Sequence, residues 1–116
     1  MTQVTVWYDG ACPLCIREIA LMRRLDKSRA IDFVDVAPVG ATCPIDRTLL
    51  LKRFHAQEAG RPIVSGAAAF AAMWRAIPVL RPLGLFARNR LVLALLERAY
   101  EAFLKIRPSL QRLAAR

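Results

Sequence analysis

A single α/β domain, with elements in the order β-α-β-α-β-β-α and additional C-terminal helices, is the fold this sequence predicts. Three observations predict it. The β-branched and aromatic run Val4-Thr5-Val6-Trp7-Tyr8 stops at the turn signal Asp9-Gly10 and gives way to a helical pattern. A second such run, Ile31-Asp32-Phe33-Val34-Asp35-Val36, follows about thirty residues on, and strand, helix, strand at that distance implies parallel neighbours joined by a right-handed crossover. Two further short strands then flank a turn and lead into an Ala-rich helix. At 116 residues the chain is the size of one ordinary domain, and an apolar content of 56% can fill its core.

Each element has a local reason. Pro13 suits the first position of a helix, where its missing N–H costs nothing. That helix places Ile16, Ile19, Ala20 and Met22 on one side, with Arg17, Glu18 and Arg24 elsewhere, and ends near Asp26. A loop carrying Pro38, Gly40 and Pro44 leads to a short helix from Ile45, with Asp46 in its first turn. Lys52–Gln57 and Pro62–Ser65 read as short strands around the turn Glu58-Ala59-Gly60-Arg61. Ala67–Ile77 is helical, with Phe70, Met73 and Trp74 at core spacing, and stops at Pro78. After Pro82 and Gly84 a last helix spans roughly Asn89–Ile106, with the polar stripe Arg90, Glu97, Arg98, Glu101 and Lys105, and Pro108 ends or kinks it. Residues 1–78 thus form the core and residues 79–116 a helical extension packed on the same domain. The order of elements is that of the thioredoxin architecture.

No internal repeat is present. Met1–Val6 lacks the basic lead and long apolar run of a signal peptide. Arg75, Arg81, Arg88, Arg90, Glu97 and Glu101 interrupt the apolar C-terminal half well short of the roughly 20 residues a membrane span needs. The expectation is a soluble, cytoplasmic protein, where three cysteines point to redox chemistry or metal rather than structural disulfides. The net charge of +9 is uneven: nine Arg or Lys stand against two Glu from Arg75 to Arg116. Such a segment fits an acidic partner, nucleic acid or an anionic membrane surface, or a solvated outer face on apolar helices.

The chemistry concentrates in Cys12-Pro13-Leu14-Cys15. If Cys12 caps the helix that Pro13 opens, its sulfur faces the free N–H groups of Leu14 and Cys15 at the positive end of the helix dipole. Both effects favour thiolate over thiol, and thiolate is the attacking species in disulfide exchange. Cys15 lies one turn further on, able to close a disulfide with Cys12 or resolve a mixed disulfide formed there. Cys12 is therefore expected as the exposed nucleophile and Cys15 as the more buried resolving thiol. Removing the Cys15 proton calls for a base, for which Asp9 and Asp35, each at a strand end, are candidates beside a plain turn role.

Cys-x-x-Cys also serves zinc, and Cys12, Cys15, Cys43 and His55 make up a four-ligand count. Against it, the chain has one such pair, and that pair runs directly into a helix; Cys43 and His55 are isolated and read as a passive thiol and a structural histidine. Trp7, Tyr8, Phe70 and Trp74 read as core aromatics, one or two of which could wall a substrate groove. Asp9-Gly10 resembles the start of a phosphatase nucleophile loop, but Ala11 stands where the second Asp belongs.

Tyr8-Asp9-Gly10-Ala11-Cys12-Pro13-Leu14-Cys15 resembles the signature of the DCC family of thiol–disulfide oxidoreductases, named for its Asp and two Cys. Phe33-Val34-Asp35, Gly60–Gly66 and Ala69-Phe70 followed by Trp74–Pro78 extend the resemblance over nearly the whole chain. It implies a thioredoxin-like fold, redox use of Cys12 and Cys15, and Asp9 as the signature acid; some members are joined to membrane domains. One departure stands out: thioredoxins place a cis-proline before their third strand to hold substrate, and Leu51 and Lys52 occupy that neighbourhood here. The Pro13-Leu14 pair is closer to the glutaredoxin motif than to that of thioredoxin, which points toward glutathione or another small mixed-disulfide partner.

The resulting expectation is dithiol–disulfide exchange with no metal or organic cofactor, acting on a disulfide-containing protein or a low-molecular-weight thiol, with glutathione as a candidate reductant. The alternatives are a non-catalytic or redox-sensing module that docks an acidic or membrane partner through the basic helices, and a structural zinc protein. Nucleic acid is not the expected partner.

Overall fold

The structure, a computed structural model, describes residues 3–38, 40 and 43–114. Met1, in the stretch read against a signal peptide, and Arg116, counted in the basic tail, lie outside the described residues. The order is β1 (Val4–Tyr8), α1 (Pro13–Leu25), β2 (Ile31–Asp35), α2 (Arg47–Lys52), β3 (His55–Glu58), β4 (Val64–Ser65), α3 (Ala67–Ala76), α4 (Arg81–Phe86) and α5 (Arg90–Ala114). One mixed sheet runs β2-β1-β3-β4, with β1 parallel to β2 and antiparallel to β3, and β3 antiparallel to β4.

Alternation along β1 sorts the helices to the two faces of the sheet. Val4 and Val6 pack with Ile19 and Met22 of α1 and with Ala69, Ala72 and Met73 of α3. Trp7 joins the opposite cluster with Val36, Leu50 of α2 and the partly buried Cys43 and Ile45. Small residues on α3 let that helix approach the sheet closely, and Arg75 ties it to β3 through Glu58, with a nitrogen–oxygen distance of 2.7 Å. Buried Asp26 caps α1 and accepts from Ala30 N at 3.0 Å and Ile31 N at 3.1 Å, which sets the start of β2.

Three features differ from the sequence reading. Lys52 closes α2 instead of opening a strand, since Asp46 caps that helix through Thr48 N at 3.0 Å and starts it later than Ile45. The segment around Pro82 forms the short helix α4, with Pro82 in its first turn where its missing N–H is tolerated. Pro108 does not end α5, which continues to Ala114. Proline within a helix removes one hydrogen bond and costs several kcal/mol in isolation, so tertiary contact must offset it. That contact is visible: α5 packs on both α1 and α3. Tyr100 is buried among Phe70 and Phe103, with ring centroids 5.7 and 6.3 Å away. Its hydroxyl accepts from Phe54 N at 2.8 Å. Glu97 of α5 pairs with Arg53 and accepts from Ala67 N at the start of α3. Gly66, at a φ of 65°, caps that start; a Cβ there would collide with both Arg53 and Glu97.

Candidate active site

The parallel strands β1 and β2 end side by side, and the motif loop is built on their carboxyl ends. Val36 N donates to Tyr8 O at 2.9 Å. Asp35 then turns its carboxylate across to the loop, where Oδ1 accepts from Gly10 N and from Ala37 N, each at 2.9 Å. The loop lies so close that a Cβ on Gly10 would stand 1.9 Å from Asp35 Oδ2. Asp9 closes a local turn: its Oδ1 accepts from Ala11 N at 2.9 Å and its carbonyl from Cys12 N at 3.1 Å. Both acids considered as bases thus hold the backbone that presents the cysteines.

Cys12 is the N-cap of α1, in extended conformation, and Pro13 follows in the first turn. Its Sγ accepts from Cys15 N at 3.3 Å. A sulfur in that position satisfies one of the unpaired donors at the helix start and sits at the positive end of the dipole. The capping expectation therefore has its geometry.

The expected order of exposure is reversed. Cys12 is 3% exposed, whereas Cys15 is half-buried. The chain segment that changes the picture is α5, whose Arg107 lies against both sulfurs. Arg107 Nη2 donates to Cys15 Sγ at 3.4 Å. Burial works against the Arg107 charge, but a hydrogen bond to Cys12 and the negative charge available on either sulfur outweigh it and hold the guanidinium above its ordinary value. Arg107 Nε is itself buried without a hydrogen-bond partner among the described residues. No local pattern pointed to this residue, which reaches the motif across 92 positions of sequence.

Cys15 holds its proton tightly. Burial pushes Cys15 up to about 12; the hydrogen bond and charge of Cys12 add to the rise, and the Arg107 charge opposes it. Cys15 is thus a thiol that keeps its proton at neutral pH.

Behind Cys15 lies a cavity of about 40 Å³, walled mainly by Leu14, Phe54, Phe70, Tyr100 and Phe103. Of the four aromatics read as core, Tyr8, Trp7 and Phe70 reach its lining, and Trp74 does not. Glu18 also borders it, one helical turn beyond Cys15. Sequence periodicity set Glu18 apart from the apolar side of α1, but residues of α5 line the same cavity, and burial alone pushes the Glu18 carboxyl up to about 7 from an ordinary 4.5.

His55 and Cys43 stay apart from this arrangement. His55 is buried in β3 with Nδ1 2.8 Å from Arg53 O, and Cys43 packs beside Trp7 and Val36. No group of three His, Cys, Asp or Glu among the described residues is placed to hold a metal ion. No helix among them is long and apolar enough to cross a membrane.

Comparison with known proteins supplies a family. Residues 6–113 match the DCC1-like thiol-disulfide oxidoreductase family. An uncharacterized chloroplastic protein of Arabidopsis thaliana is 30% identical over 80 residues, which are 65% of this chain and 37% of that protein. The matched region thus spans little more than a third of the relative's length. No solved structure matches the chain.

Proposed function

The chain belongs to the DCC1-like thiol-disulfide oxidoreductase family, and from that premise we propose that it exchanges disulfides through Cys12 and Cys15 on a thioredoxin-like fold. The observation that carries the reading is the Cys12 Sγ at the N-cap of α1, 3.3 Å from Cys15 N, with Arg107 beside both sulfurs. The element order and the β2-β1-β3-β4 sheet support the fold assignment.

In this reading Cys12 thiolate attacks a substrate disulfide R–S–S–R′. The Cys12–S–S–R bond forms, the substrate bond breaks, and R′–S⁻ leaves with the electron pair. Cys15, once deprotonated, attacks Cys12 sulfur and expels R–S⁻, leaving the Cys12–Cys15 disulfide and a substrate reduced by two electrons. The reverse sequence oxidises a dithiol. Cys12 is buried, so in this reading the side chains around it, Arg107 among them, rearrange as the substrate enters. Asp9 and Asp35 act as positioning residues for the loop. Glutathione or another small thiol returns the pair to the dithiol, and a reducing compartment such as the cytoplasm suits that cycle.

The test is reduction of a protein disulfide with dithiothreitol as electron donor. The native chain accelerates it, Cys12→Ser abolishes the acceleration, and reduced Cys15→Ser, mixed with the substrate after dithiothreitol is removed, leaves a trapped mixed disulfide on Cys12. Equal rates for the native chain and Cys12→Ser would sink the reading.

A second reading, docking on an anionic membrane surface, is favoured by one specific observation. On α5 the residues Leu91, Leu95, Ile106 and Leu113 are all exposed and share one stripe, and Arg98, Lys105 and Arg112 line the adjoining face. An apolar stripe edged by cations is the pattern of helices that lie in a lipid interface. Salt-sensitive binding to vesicles containing anionic lipid, lost in Leu95→Glu, is the expected result; binding indifferent to lipid charge speaks against it.

A further inference from the structure

Resolution of a mixed disulfide at Cys12 needs the Cys15 proton to go somewhere, and the two strand-end acids already accept backbone N–H groups of the motif loop, although the Asp9 charge also reaches Cys15 and raises it. Asp35 accepts two backbone N–H groups through one oxygen, and Asp9 closes the Ala11 turn. Glu18 is different. It stands three positions after Cys15 on α1, which places the two on the same helix face. Both border the cavity behind the motif, and that cavity, of about 40 Å³, is large enough to hold water. The surrounding wall is largely aromatic and aliphatic, contributed by α1, the segment before β3, α3 and α5.

We propose that Glu18 is the proton acceptor for Cys15, directly or through water in the shared cavity, in the step that closes the Cys12–Cys15 disulfide. The proposal rests on the dithiol reading above. The Cys15 S–H bond breaks, its proton passes to the Glu18 carboxylate, and the Cys15 lone pair forms the bond to Cys12 sulfur. R–S⁻ departs with the electrons of the broken Cys12–S–R bond and takes a proton from water; Glu18 then releases its own proton to water.

The electrostatics support the direction of transfer. Of the causes that raise Cys15, the hydrogen bond and charge of Cys12 disappear once Cys12 is tied up in a mixed disulfide, so its proton becomes easier to remove at the moment it must leave. The Glu18 carboxyl, pushed up to about 7 by burial, is a far better acceptor than an ordinary carboxylate at neutral pH. The other charged or titratable groups facing the cavity are Tyr8 at the end of β1, Asp9 just after it, Arg53 before β3, and Tyr100 and Arg107 on α5. Arg53 is engaged with Glu97, and Arg107 with the sulfurs.

The experiment mixes the reduced chain, in a Cys43→Ser background, with excess oxidised glutathione. Acid quenching and mass spectrometry then follow the Cys12 mixed disulfide and its closure to the Cys12–Cys15 disulfide. With Glu18 present, closure accelerates with pH through about 7 and levels off. In Glu18→Gln the first step keeps its rate, while closure slows by about a hundredfold near neutral pH and loses that inflection. Equal closure rates and profiles in the two chains overturn the role of Glu18 and leave the dithiol reading standing. If Cys12 never forms the mixed disulfide, the dithiol reading falls and this proposal with it. Should Glu18→Gln fail to fold, the native profile decides, since closure without an inflection near 7 overturns the proposal.

Discussion

Replacing Glu18 by Gln changes how folding stability depends on pH, and the size of the change follows from burial. In the folded chain the carboxyl holds its proton up to about 7, whereas an unfolded chain releases it at about 4.5. Between those values the folded state binds more protons than the unfolded one, so stability falls as pH rises through the window and the loss is complete above it. A shift of that size is at most about 3 kcal/mol, and relaxation of the half-buried site brings the expected value nearer 2 kcal/mol. Gln keeps the shape and hydrogen-bonding capacity of the protonated acid but cannot ionise. Urea unfolding of both chains at about pH 5 and about pH 8 is the assay. From the lower to the higher pH the native chain should lose about 2 kcal/mol more than Glu18→Gln, or roughly 8 °C in a thermal melt. Taking the difference between the chains cancels every other titrating group. Parallel pH profiles would mean that Glu18 is solvated, and the buried-acceptor argument would fail with it.

Other outcomes follow from the same contacts. Arg107→Gln removes the cation beside both sulfurs, and alkylation of Cys12 at neutral pH should then slow several-fold; an unchanged rate would show that Arg107 does not stabilise the thiolate. Gly10→Ala places a methyl 1.9 Å from Asp35 Oδ2, so the loop must shift, with an expected cost of about 2 kcal/mol in urea and slower disulfide exchange. Tyr100→Phe takes the acceptor from Phe54 N and loosens α5 from the α2–β3 connection; a loss of about 1–3 kcal/mol is expected, and a change within about 0.5 kcal/mol would mean that the contact is replaceable.

The parts of the fold legible in the sequence were those with local causes. The β-branched run of β1, the Asp9-Gly10 stop, Pro13 at a helix start and the turn before Val64 each act within a few residues, and the elements stand where those signals put them. Pro108 was a local signal overruled by distant packing, since Tyr100 and Glu97 anchor α5 against α3 and the α2–β3 connection. The site divides the same way. Cys12 as a helix cap follows from the motif and its proline alone. The low exposure of Cys12, the burial of Glu18 and the presence of Arg107 all depend on where the last helix comes to rest. No spacing in a single sequence encodes a contact between Cys15 and a residue 92 positions away.

The central claim is that Cys12 and Cys15 form a reversible redox pair. Equilibrating the chain across a series of glutathione redox buffers, then alkylating free thiols and weighing the products, tests it most directly. One reversible two-electron transition is expected, in which Cys12 and Cys15 lose alkylation together. It should survive Cys43→Ser and disappear in Cys12→Ser. Cysteines 12 and 15 that remain alkylated across the whole series, or a transition that requires Cys43, would contradict it.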